Sequence, residues 1–557
     1  MNREEWNVVV WTQNSNPLNY LWLSSVVAML PLAFFTWALI VKKFPSWKAG
    51  LYTLFIVIAL ALAVNGMPAS KVVMASASGA IYGLFPIMWI VLPSVFLYKL
   101  TVASGQFNTI RHSISLLTED PRLQALLVAF AFGSFLEGAA GFGTPVAIGA
   151  SILVGLGFRP LQAAIACLIA NVASVAYGGL GVPVIALEGT TGISATTIAG
   201  TIAWLLPVVS LVVPYYMVVL LSGFKKANEI LPAILVVTLS YTATQTLTAM
   251  YMGPQLPDIL AAFAAAICLT IFIRLNRKSS RYASLYGVES AASVEDLADR
   301  PSAPQIIKAW SPYLLMTFFV LIWGIPTIKE ALIGAYSGTN PLLNALNTVG
   351  AFFSFKIHVP FLHEQIMSQG KLLPIWWKLE LLGAGGTAIL LTALLTKWIF
   401  GMSWMMWLKT GRQTLYELRY TILAIVTISA FSYLANYSGM IHSIGSLLAQ
   451  SREFFPAVSP LIGWVGVFIT GSDTSANVLF GQLQAITATG VGMDPSLALA
   501  ANTVGGGTAK MLSPQSIALA VAAVGLSGKE SELLKKAFKH SLFLLALVSV
   551  LTWVYSW

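Results

Sequence analysis

A chain of 557 residues that is 57% hydrophobic and only 9% charged, with a net charge of +10, departs sharply from soluble proteins, in which about a quarter of residues are charged. That composition, with a mean hydropathy of +0.79, excludes a soluble globular enzyme and makes lipid the solvent. The basic excess does not call for a nucleic-acid partner, because Lys and Arg sit in short loops between apolar runs, where they set membrane orientation.

Residues 1–20 open Met-Asn-Arg-Glu-Glu and are polar, so no cleavable signal peptide is expected ahead of the first span. Apolar windows long enough to cross hydrocarbon as helices fall near 21–41, 49–64, 79–98, 161–187, 197–221, 229–250, 256–273, 309–326, 379–399, 415–435 and 535–556. Two further regions, 123–157 and 456–491, are apolar but broken at mid-depth by polar, Gly-rich sequence: FLEGAAGFGTP (135–145) and TGSDTSAN (470–477). Backbone that breaks inside a membrane must be buried in protein or line a wet cavity, so both regions read as re-entrant hairpins. With each hairpin entering and leaving on one side, most of the 31 Lys and Arg fall in cytoplasmic loops, as the positive-inside rule requires. The two hairpins then enter from opposite faces, the first from the cytoplasm and the second from outside.

An internal echo matches that inversion. ANVASVAYGGLGVP (170–183) follows the first hairpin and ANTVGGGTAKMLSP (501–514) follows the second, with the same separation from Asn171 to Pro183 as from Asn502 to Pro514. Gly and Pro at mid-span break a helix, so each half pairs a hairpin with a broken transmembrane helix. The fold expected is an all-α polytopic integral membrane protein with an inverted repeat, the layout of ion-coupled carriers whose ligands bind where half-helix ends meet. The parts are scaffold helices at 1–122; first hairpin, broken helix and next span at 123–222; scaffold helices at 223–273; a cytoplasmic linker at 274–308; scaffold helices at 309–455, with an external loop at 327–378; and second hairpin, broken helix and last span at 456–557. The loop is expected to hold a short surface helix, and its His358 and His363 lack a clear third metal ligand. Cys167 and Cys268 lie far apart in apolar stretches and read as packing residues, giving neither a disulfide framework nor a metal site.

An ionisable group inside a bilayer is costly and marks function by default. Glu137 and Asp473 sit at the two polar breaks and Lys510 in the second broken helix. Burial favours the neutral form of a carboxyl group, which suits Glu137 and Asp473 to carry protons; the competing role for each is to cap a half-helix N-terminus. A monocarboxylate cargo would need an anion receptor. Half-helix N-termini supply converging N–H donors, and Lys510 supplies positive charge unless it is spent on an internal salt bridge. Asn171, Asn502, Ser513 and Gln515, with Tyr177 as a weaker candidate, offer hydrogen bonds for such a substrate. No Walker A motif, HExxH, paired Cys/His cluster or nucleophile elbow appears. Neither a cofactor nor an enzyme activity is expected, and transport would run on an ion gradient or passively.

FLEGAAGFGTPVAIGA, ITGSDTSAN, ANTVGGGTAK, SPQSIALA and AVGLSGKES strongly resemble the bacterial L-lactate permease family. NPLNYLWLSSVVAMLP, GPQLPDI (253–259), NYSG (436–439) and KHSL (539–542) fall in family-like order, so the resemblance spans nearly the whole chain. It implies import of L-lactate, D-lactate or glycolate with protons across the bacterial inner membrane, with an oligomer left open. It also implies kinship with transporters built on inverted hairpin repeats, and, through that kinship, an elevator-like movement of the hairpin modules. Thr144 departs from the family pattern, which commonly has alanine there, and its hydroxyl near the first tip makes it a further substrate-binding candidate. Two rivals stand beside this reading: a sodium-coupled di- or tricarboxylate carrier, of which only the tip Ser-Asp-Thr-Ser-Ala-Asn is reminiscent, and a passive anion channel, against which mid-membrane carboxylates argue.

Overall fold

In hydrocarbon every backbone N–H and C=O must be satisfied within its own segment or against protein, so long apolar runs have helix as their only open option. The computed structural model describes residues 10–115, 117–118, 120–141, 143–276, 301–368, 370–526 and 528–557. Among these, 11 helices are long and apolar enough to span a membrane, or 12 if the bent pair Pro160–Asn171 and Val175–Thr191 counts as one. Most of the expected windows coincide with these helices. The window at 79–98 is part of a longer span, Ala69–Ala103, interrupted at Gly83–Met88 around Pro86. The window at 415–435 lies inside a 34-residue helix, Trp404–Tyr437. Most of the expected linker at 274–308 falls outside the described residues.

The helices sort into two packing groups. In one, Trp404–Tyr437 lies against Ser46–Ala63 and Ala69–Tyr82, and Gly385–Ile399 lies between Trp89–Ala103 and Ala303–Gly324. Small residues let these backbones touch, as is usual where lipid gives no hydrophobic drive between helices: a Cβ on Gly79 would stand 2.2 Å from the Ser429 carbonyl oxygen. The other group holds both hairpins, both broken helices, Ala195–Ser222 and Glu530–Tyr555. Leu231–Met252 and Pro257–Leu275, from the stretch expected to serve as scaffold, pack on Ala195–Ser222 and on the first hairpin. Two tyrosines join the groups. Tyr82 Oη donates to the Ile185 carbonyl and Tyr433 Oη to the Gly189 carbonyl, each at 2.6 Å, so both grip the second half of the first broken helix.

The first hairpin enters through residues 121–139, leaves its first arm at 140–141, and returns as Thr144–Gly155 behind Gly143. The second descends as Phe455–Thr470 and returns as Asp473–Val491. Its turn is short because Gly471 adopts the left-handed conformation, φ 74°, that closes a helix C-terminus without a Cβ clash. The first broken helix bends by 61°. Its break runs through Gly179, Leu180 and Gly181 at φ 54°, 60° and 73°, a left-handed run that two glycines make tolerable. The second broken helix is Pro495–Ala509, a single 3₁₀ turn at Lys510–Leu512, and Pro514–Ala523, restarted by a Ser513 cap.

The stretch at 327–378 is more ordered than a loop with one surface helix. It forms helices Pro326–Leu332 and Pro341–Phe352, and strands 354–358 and 376–380 pair antiparallel. A smaller sheet joins 366–368 to 371–372 and to Trp11–Thr12. The window at 379–399 therefore starts in a strand, and its helix is only Gly385–Ile399. The strands form a cap pinned to the helices beneath: Lys71 Nζ donates to Phe361 O at 2.8 Å, and Trp377 Nε1 to Ser78 Oγ at 3.1 Å. His358, His363 and Trp376 cluster with their rings tilted or edge-on, centroids 3.8 to 4.4 Å apart. Each strand sets one lysine between apolar residues, Lys356 between Phe355 and Ile357 and Lys378 between Trp377 and Leu379, too short a pattern to stand out among the surrounding Gly, Pro and Asn.

Candidate functional site

Both hairpin tips and both helix breaks meet. One cavity of about 50 Å³ is lined by Glu137 and Gly141 of the first hairpin, Gly178 and Gly179 of the first break, Gly471 to Thr474 of the second tip, and Lys510 and Gln515 of the second broken helix. A cavity of this size holds a few waters. Three helix N-termini border the space: the restart after Gly181, at Val182, the restart at Pro514, and the start at Asp473. Their free N–H groups and dipoles favour an anion.

The three ionisable residues picked from the sequence all line this cavity, and each is held differently. Glu137 is 4% exposed and lies near the end of its helical segment, not at an N-terminus, so it caps nothing. Its Oε2 accepts from Asn171 Nδ2 at 3.0 Å. Asp473 opens its helix, but the capping hydroxyl is that of Ser472, which accepts from Ser475 N. Neither Asp473 carboxyl oxygen has a hydrogen-bond partner, although both are buried. An unpaired buried carboxylate is costly, and a charge or ligand arriving in the cavity would relieve that cost. Lys510 Nζ donates to the Gly471 carbonyl at 2.6 Å. Among the described residues it makes no ion pair within 4.0 Å with either carboxylate, though it interacts electrostatically with both. An ammonium has three N–H donors, so two remain to offer a substrate. It is the one cationic side chain among the described lining residues.

The remaining candidates divide between the cavity and its supports. Gln515 lines the cavity and is solvent-exposed. Asn171 stands behind Glu137 and orients it, its own Oδ1 buried without a partner. Asn502 is committed to structure: it donates to Asn477 Oδ1 at 2.8 Å and accepts from Gln484 Nε2 at 3.1 Å. Ser513 caps the restarted helix, accepting from Ser516 N at 3.2 Å. Tyr177 points away from the cavity and donates to Ala199 O at 2.8 Å, since a buried phenol must find an acceptor. Thr144 begins the helix after the first tip, and its side chain lies outside the described part of the structure. The sequence reading missed two cavity contributors. Thr474 sits in the very tip quoted as a break, and the Gly471 carbonyl is backbone, which no side-chain inventory reveals.

Comparison with known proteins gives this geometry its context. The family model described as L-lactate permease matches residues 24–556. The chain belongs to the L-lactate permease family. It is 50% identical to the L-lactate permease of Bacillus subtilis (strain 168), over 98% of this chain and 99% of that one. It is 41% identical to the glycolate permease GlcA of Escherichia coli (strain K12), and 39% identical to the L-lactate permease of Salmonella typhimurium, each over 98% of both chains. As a member of this permease family it is a multi-pass membrane protein, with the two hairpins and two broken helices described above.

Proposed function

We propose that the chain is a secondary transporter that imports L-lactate, D-lactate or glycolate with protons across the bacterial inner membrane, with Glu137 and Asp473 as proton-binding groups. The named functions of its relatives support the substrate class. The observation that carries the proton coupling is the charge composition of the cavity: two buried carboxyl groups face one ammonium. A monocarboxylate arriving among ionised Glu137, ionised Asp473 and Lys510 leaves an excess of negative charge away from water, which is strongly unfavourable. Proton uptake removes that excess, so substrate and proton bind together.

In this reading the substrate carboxylate takes the two unused Lys510 N–H donors and the N–H groups of the converging helix starts. Gln515 and Thr474 face the cavity with groups able to bond the 2-hydroxyl. The contact between the two packing groups, gripped by Tyr82 and Tyr433, is where relative movement during transport would act.

The test is uptake of labelled L-lactate into proteoliposomes under an inward proton gradient without sodium, with glycolate and succinate as competitors. Accumulation blocked by glycolate and untouched by succinate is expected. Accumulation only after sodium is added, with succinate competing, would replace this reading with a sodium-coupled dicarboxylate carrier.

A further inference from the structure

A third carboxyl group lies behind the cavity. Asp258 is 1% exposed and sits in the first turn of Pro257–Leu275, so in sequence it passes for an acid placed to suit a helix dipole. The structure gives it different company. Its Oδ1 accepts from Gln245 Nε2 at 2.9 Å and, more weakly, from Tyr241 Oη at 3.5 Å, while its Oδ2 is buried with no partner. Among the described residues no Lys, Arg or His pairs with it.

Two contacts tie this group to the site. A Cβ on Gly138, the neighbour of Glu137, would stand 2.8 Å from the Asp258 Cβ, and Glu137 and Asp258 interact electrostatically. The turn leading into the helix also closes on the first break, where a Cβ on Gly181 would stand 2.4 Å from Pro254 O. Gln245 completes the link. Its Nε2 donates both to Asp258 and to Ala173 O at 2.9 Å, and its Oε1 accepts from Ser210 at 2.8 Å. Asn171, which holds Glu137, lies two residues before Ala173. The titratable groups facing Asp258 are therefore Glu137 from the hairpin, Tyr241 from Leu231–Met252 and Tyr177 from the first break. None supplies positive charge.

We propose that Asp258 is a further proton-binding group of the transport cycle, forming with Glu137 a coupled carboxyl pair that takes up a proton with the substrate. Of these two neighbouring carboxyl groups only Glu137 faces a cation, Lys510, which it shares with Asp473; the two cannot both stay ionised cheaply in a dry site, so they titrate as a pair. At rest the pair shares one proton; a second, taken from outside, neutralises it as the substrate anion binds, and that second proton is released to the cytoplasm when the substrate leaves. The Gln245 amide bridges Asp258 to the backbone beside Asn171, so the charge of the pair is felt at the break that lines the cavity.

This inference rests on the proton-symport reading, and its experiment separates the two. Wild type and Asp258→Asn are compared in proteoliposomes for gradient-driven accumulation of labelled L-lactate and for counterflow exchange at equal pH, which needs no net proton movement. Accumulation should fall at least about tenfold while counterflow stays within about twofold of wild type. Unchanged accumulation, or loss of accumulation and counterflow in equal proportion, would overturn the proposal. Gln245→Met provides a second handle should Asp258→Asn not yield folded protein. A carboxyl group that loses its donor releases its proton less readily, so the pH of half-maximal uptake should move upward with counterflow retained; an unmoved profile would count against Asp258. Wild-type protein that accumulates no lactate in a proton gradient would sink the symport reading itself.

Discussion

In the first half of the repeat, Asn171 gives its amide to Glu137 at 3.0 Å; at the matching position of the second half, Asn502 gives its amide to Asn477 at 2.8 Å and accepts from Gln484. Gln484 in turn bonds Ser459 on the opposite arm of the hairpin, and a Cβ on Gly463 would stand 1.9 Å from Asn502 O. The second hairpin is thus sewn to its broken helix by neutral amides, whereas the same asparagine in the first half steadies a titratable group. A second contrast lies farther along. Counting equally from each asparagine, Lys510 corresponds to Gly179, so one break carries an ammonium and the other a left-handed glycine at φ 54°. Two halves of similar backbone plan have divided the labour: the first supplies a held carboxylate and an open backbone, and the second supplies the cation and a rigid frame.

Removing the cation should break this arrangement most. Lys510→Met leaves two carboxyl groups and an anionic substrate with no positive charge, and truncating one member of a buried charged contact costs several kcal/mol. L-Lactate affinity is expected to fall by about 100-fold or more, measured as the shift in half-saturation of counterflow. Lys510→Arg should restore only part of it, because a planar fork does not reproduce an ammonium bonded to the Gly471 carbonyl. Wild-type affinity in Lys510→Met would place the substrate elsewhere.

The asparagine pair gives a smaller and sharper contrast. Asn502→Ala strands donors and acceptors on Asn477 and Gln484, and unsatisfied buried groups cost about 1–3 kcal/mol, read as a lowered thermal midpoint in detergent. Asn171→Ala removes a residue whose Oδ1 is already unpaired, so it should lower the midpoint less and instead reduce the gradient-driven accumulation ratio relative to counterflow. Equal losses of stability with no split in transport would erase the distinction between the halves.

Much of this was legible in the sequence because the membrane leaves few options for an apolar backbone. The hairpins at 123–157 and 456–491 lie close to their observed arms, since a polar Gly-rich interruption in a long apolar run must be buried in protein or line a cavity there. Glu137, Asp473 and Lys510 stood out for the same reason and do share one cavity. Less visible was which polar groups are spent on structure. Asn502, Ser513 and Tyr177 carry the same chemistry as Gln515, and only three-dimensional pairing reveals that their donors are taken. Asp258 escaped because a carboxylate just after a proline at the head of a span looks like ordinary N-terminal stabilisation. The cap at 354–380 escaped because short exposed strands carry little hydrophobic alternation, and their pairing is set by contacts far along the chain.

The central claim is that the substrate binds between the two tips. Its most direct test replaces Gln515 with cysteine in a chain whose Cys167 and Cys268 are changed to serine, and follows alkylation by a small maleimide in proteoliposomes. Saturating L-lactate or glycolate should slow the reaction at Gln515→Cys while succinate leaves it unchanged. Alkylation indifferent to L-lactate, in protein that still exchanges L-lactate at the wild-type rate, would contradict the placement of the site.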